Sequence, residues 1–103
     1  MKVIDHEPGL WFLLGEDDRL FLDISCEHGA FGYDVLIELD ESERAQQTAQ
    51  GCAYLTKLAQ TINYSAPGVR GSQSRYKSRN ISSQYRAQVS EAIRTWRSRQ
   101  SNG

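Results

Sequence analysis

The sequence has little of several things, and each scarcity closes off a class of protein. It holds only two cysteines, Cys26 and Cys52, among 103 residues. That rules out the dense disulfide framework of a small secreted domain and reads as a pair of reduced thiols. Apolar residues make up 39% of the chain, yet no stretch approaches the roughly 18–20 that a membrane helix needs. The N-terminal Met1-Lys2-Val3-Ile4-Asp5-His6-Glu7-Pro8 carries charges where an export signal needs an apolar run. The sequence therefore predicts a cytoplasmic protein with no membrane segment. Internal repeats and low-complexity tracts are absent, and 103 residues set the size of one domain.

Net charge is nearly absent too, at −1, but its distribution is lopsided. Of the 13 acids, all but Glu91 precede residue 45, whereas eight of the 12 bases follow residue 65. An acidic half is joined to a basic half.

Within the acidic half the apolar residues recur at every second position. Leu10, Phe12 and Leu14 alternate with Trp11 and Leu13, and Leu20, Leu22, Ile24 and Cys26 alternate with Phe21, Asp23 and Ser25. The turn-forming Glu16-Asp17-Asp18-Arg19 between them completes a hairpin signature. Tyr33, Val35, Ile37 and Leu39 form a third alternating run, and Lys2 to Ile4 is a candidate edge strand ended by Pro8. At Asp40 the period changes. Asp40 and Glu43 have capping-box spacing, and Ala45, Ala49, Cys52, Leu55, Leu58 and Ile62 recur at helical intervals. One straight helix over 41–63 would be about 34 Å long, too long for so small a domain. A break or kink is expected near Gly51. Residues 65–82, with Pro67, Gly68 and Gly71, read as a loop. Tyr85, Val89, Ala92, Ile93 and Trp96 then mark an amphipathic helix within 83–99.

These elements predict a single α+β domain over 1–103. An antiparallel β-sheet of three or four strands fills 1–39, a helix or kinked helix pair 40–64, a basic loop 65–82 and a C-terminal helix 83–99. The economical arrangement has two layers, with two or three helices packed on one sheet face. Trp11, Leu13, Phe21 and Leu36 are then left on the opposite face as a candidate interface for a second copy or another protein.

The loop over 68–80 is the candidate ligand site. Its glycines, serines and the cations Arg70, Arg75, Lys77 and Arg79 suit phosphate or carboxylate, although its spacing matches no phosphate-binding motif. Arg86, Arg94 and Arg97 lie at helical spacing along one flank of the last helix, and Tyr76 sits among the loop cations. Nucleic-acid binding ranks low all the same, because the acidic half opposes a polyanion and no recognition motif is present. Cys26-x-His28, with His6 and Cys52 elsewhere, lacks the paired ligands of a zinc site. As a thiolate–imidazole pair it is flanked unfavourably by Asp23 and Glu27. No catalytic residue, metal or cofactor is assigned.

Leu22-Asp23-x-x-Cys26-x-His28, Tyr64-Ser65-Ala66-Pro67, Ser83-x-Tyr85 and Trp96 together resemble small bacterial proteins without an assigned activity. The resemblance implies a bacterial source and transfers no ligand or residue role. The reading that follows is a non-enzymatic protein-interaction module, with a homodimer as one form of it and binding of an anionic small molecule by the 68–80 loop as the alternative.

Overall fold

The computed structural model describes residues 1–28, 31–69 and 71–102, apart from the side chains of 28, 31, 101 and 102. Four strands, β1 (Lys2–Glu7), β2 (Trp11–Glu16), β3 (Arg19–His28) and β4 (Phe31–Glu38), form an antiparallel sheet in the order β1-β2-β3-β4. Helices α1 (Glu41–Gln50), α2 (Cys52–Ser65) and α3 (Ser82–Asn102) follow. The chain is an α+β fold with its sheet at the N-terminus.

The register explains which side chains meet. Asp17 takes the left-handed conformation (φ 55°) in the turn that pairs Glu16 with Arg19. Leu13 is thereby set opposite Leu22 and Trp11 opposite Ile24, while Leu22 and Ile24 face Ile37 and Val35 of β4. Cross-strand partners share a face, so these residues make one continuous apolar surface. Leu55, Leu58, Ala59 and Ile62 of α2 pack on it, joined by Tyr76 from the loop. Trp11 donates its indole N–H to Thr56 Oγ1 at 3.1 Å, which satisfies the one polar atom of a buried ring.

The other face is also covered, and here the structure corrects the two-layer expectation. Leu14, Phe21 and Leu36 form a second core with Ala92 of α3, flanked by Val3, Phe12, Tyr85 and Val89. The sheet therefore lies between α2 and α3 in three layers. The physical reason is that α3 carries its own apolar stripe and the second face offers a large apolar surface to bury it. Trp11 and Leu13 belong to the α2 face, and Phe21 and Leu36 to the α3 face. All four are buried within the chain, so together they offer no interface.

Local chemistry sets the helix limits. Glu43 N–H donates to Asp40 Oδ1 at 2.8 Å and Asp40 N–H to Glu43 Oε1 at 2.9 Å, a complete capping box for α1. The break between α1 and α2 falls at Gly51, whose φ of 68° and ψ of −144° lie in a region that essentially only glycine occupies. Ala66, left-handed at φ 53°, ends α2 ahead of Pro67. At the outer edge, β1 bulges between Val3 and Asp5 and leaves Ile4 57% exposed.

Candidate functional site

The basic loop is built into the fold. Ser65 and Ser74 hydroxyls lie 2.6 Å apart, Ser72 Oγ donates to Ser65 O, and Ser74 Oγ accepts the Tyr76 N–H. Asn80 Oδ1 accepts from the N–H of both Leu36 and Ser82, and Ile81 N–H donates to Leu36 O at 2.8 Å, so residues 80–81 run against the edge of β4. Arg79 grips Glu43 through two hydrogen bonds, of 2.8 and 2.6 Å, and Glu38 O through a third of 2.8 Å. Burial alone would raise the Glu43 carboxyl, but the guanidinium and the Asp40 N–H bring it below its ordinary value. Arg75 lies 5.4 Å over the Tyr76 ring and is exposed, Lys77 is exposed, and Arg70 lies outside the described residues. Of the three described cations, Arg75 and Arg79 both flank the Tyr76 ring, at 5.4 and 5.8 Å, and Arg79 is engaged by Glu43. Arg79 serves the α1 cap, because the buried Glu43 needs a counter-charge more than a free ligand does.

Cys26 is buried, and burial followed by the fields of Asp34 and Asp23 pushes its thiol up to about 11, the opposite of an activated nucleophile. The side chain of His28 lies outside the described residues. Cys52 is exposed, and its Sγ stands 2.8 Å from Asp5 Oδ2. No group of three or more His, Cys, Asp or Glu residues among those described is placed to hold a metal ion.

The chemistry concentrates elsewhere. On the α3 face the cross-strand rows run Phe12–Asp23–Leu36 and then Ser25–Asp34. Alternation along β3 sends Asp23 to the same side as Phe21, beneath α3. Only 9% of Asp23 is exposed, and no hydrogen bond or ion pair from a described residue reaches its carboxyl. Burial, and secondarily the neighbouring Asp34 carboxylate, push it up to about 7 from an ordinary 3.8. Above it, α3 does not close fully on the sheet. Two adjoining lobes of about 420 and 580 Å³ open between them. Both are lined by Asp23, Asp34, Ser90 and Ile93; Arg86 borders one lobe, Arg94 and Arg97 the other. A groove with two carboxyls on its floor and three guanidiniums on its helical wall is the strongest candidate site in the chain.

The arginine flank was visible as a helical spacing, but its acidic counterpart was not. Asp23 and Asp34 sit at positions that alternation marks as outward and polar, and only the cover supplied by α3 turns Asp23 into a buried acid. A sequence signal did exist. Asp23 lies between Phe21 and, across the strands, Leu36, so a helix that buries those two must pass over it.

His6, Phe12 and Trp96 close one end of the α3 face. The His6 and Trp96 rings meet edge-on at 4.4 Å, and Phe12 and Trp96 at 5.6 Å. At the other end Arg19 lies 4.8 Å over the Phe21 ring while bonding Glu38 at 2.8 and 3.1 Å. Arg19 also donates to Tyr85 Oη of α3 at 3.3 Å, and the Phe21 and Tyr85 rings lie 5.3 Å apart, so the opening above Asp23 is flanked by packed structure. Among the described residues no helix is long and apolar enough to cross a membrane. Comparison with protein-family models, curated proteins and solved structures finds no match to this chain.

Proposed function

We propose that this chain is a non-enzymatic binding domain whose site is the groove between α3 and the sheet, and that the groove takes the cationic group of a small molecule against Asp23 and Asp34. The observation that supports this most is Asp23, a residue 9% exposed whose carboxyl has no partner among the described residues and a second acid beside it. Burying such a group costs roughly 1–3 kcal/mol, which a structural role would remove with a partner. An ammonium docked there supplies both the missing hydrogen bonds and the opposite charge. Lobes of about 420 and 580 Å³ match the size of small-ligand sites. The unpaired thiols fit a reducing compartment, and we place the protein in the cytoplasm on that basis.

Titration of the isotope-labelled protein with n-butylammonium chloride tests the reading against a sodium chloride control. Amide shifts confined to Asp23, Asp34, Ser90 and Ile93, and lost in Asp23→Asn, support it. Shifts scattered over the surface, or identical in the variant, refute it.

A homodimer is a second reading, favoured by a different surface from the four core residues. The outer edge of β1 carries the exposed Ile4, and an exposed edge strand can pair with another chain. Light scattering after size exclusion decides it: a dimer that dissociates in Ile4→Lys supports this mode, and a monomer at high concentration removes it.

A further inference from the structure

We infer that the ligand of this groove is a zwitterion, a small molecule with an ammonium at one end and a carboxylate or phosphate at the other. The inference rests on the reading of the groove as a cation site and adds the second half of the ligand. It begins from the wall facing the two acids. Arg86, Ser90, Ile93, Arg94 and Arg97 follow one another at helical spacing and line the lobes. Among the described residues the acids bordering the lobes are Asp23 and Asp34.

Arg86 and Arg94 face the two acids without pairing with them. Among the described residues the ion pairs are Arg19–Glu38, Arg79–Glu43 and Arg94–Glu91, and none links α3 to Asp23 or Asp34. Arg86 makes no ion pair there, and Arg94 holds Glu91 only at 3.4 Å with both side chains largely exposed. A pair so exposed is worth little and yields readily to a better partner.

That separation selects the ligand. A simple cation gains from the floor but meets the guanidiniums of Arg86 and Arg94 on the wall. A simple anion gains from the wall but meets two carboxyls below. A molecule carrying both charges satisfies both surfaces and leaves neither repulsion standing. Guanidinium forks suit the planar carboxylate or the phosphate oxygens. Phe12, Val89 and Ile93 provide apolar contact for a short methylene spacer between the charges. Docking an ammonium on Asp23 also displaces the proton that burial leaves on that carboxyl near neutral pH.

Calorimetric titration of the full chain with O-phosphoethanolamine, β-alanine and 6-aminohexanoate, against ethanolamine and inorganic phosphate, tests this. The expected result is that at least one zwitterion binds tenfold or more tighter than either half-ligand. Arg86→Gln or Arg94→Gln, both at exposed positions and checked by circular dichroism for folding, should bring it down to the ethanolamine level. Ethanolamine binding as tightly as every zwitterion overturns the inference but leaves the cation site standing. Phosphate binding as tightly as the zwitterions, unchanged in Asp23→Asn, overturns both. If no zwitterion binds while n-butylammonium does, the inference falls alone; if neither binds, the groove is not a site.

Discussion

Replacing Asp23 by Asn should make the protein more stable at pH 8 and leave it nearly unchanged at pH 4. The sign follows from linkage. Asp23 in the fold keeps its proton up to about 7, whereas the unfolded chain loses it near the ordinary 3.8. Below 3.8 the carboxyl is neutral in both states and costs nothing through ionisation. Between the two values the unfolded state is charged and the folded state is not, so folding must take up a proton and stability falls by about 1.4 kcal/mol per pH unit. By pH 7 the loss reaches about 4 kcal/mol as an upper figure, a large share of the 5–15 kcal/mol of a typical domain. Asparagine keeps the shape and cannot ionise. Urea unfolding of both proteins from pH 4 to 8 gives the difference directly, and taking the difference cancels the other carboxylates. A gap that widens with pH and flattens above 7 agrees with the reasoning; a gap that is flat with pH, or that favours the natural protein more as pH rises, refutes it.

Four further outcomes follow from the same structure. Arg79→Ala should destabilise by about 3–5 kcal/mol, because it strands the buried Glu43 without its counter-charge. Since Glu43 lies below its ordinary value, the stability that the pair contributes is present above the unfolded pKa and is lost as pH falls through the folded one, so the gap in denaturant midpoint between the two proteins should narrow in acid. Gly51→Ala should cost about 1–3 kcal/mol in thermal unfolding; an added Cβ would meet nothing within 4 Å, so the loss is backbone strain alone. A thiol reagent should modify the exposed Cys52 in the native protein and reach the buried Cys26 only on unfolding. Asp5→Asn should speed the first reaction, since the Asp5 carboxylate holds the Cys52 thiol above its ordinary value.

Much of the fold was readable from periodicity. The alternation over 20–26 is β3, the Asp40–Glu43 spacing is the α1 cap, and Gly51 divides the helices. The packing of α3 was not readable in the same way. Each strand shows two faces, but which face of β2 joins which face of β3 depends on the turn at Asp17 and Asp18. A one-residue change of register there exchanges the faces. Reading the strands singly placed Trp11 and Leu13 beside Phe21 and Leu36, whereas the observed register puts them on opposite sides. The engagement of Arg79 was not readable for a related reason. Composition shows a cluster of cations but not that Glu43, already spent on a cap, would be buried and would claim Arg79. The groove was invisible because a single acid on an alternating strand is normally solvated, and only a helix lying across that face changes its environment.

The most direct measurement is the titration of the Asp23 carboxyl by ¹³C NMR, with and without a bound amine. The midpoint should lie near 7 in the free protein and fall when n-butylammonium is added. A midpoint in the ordinary carboxylate range, or one that the amine leaves in place, would contradict the claim that this buried acid waits for a cationic partner.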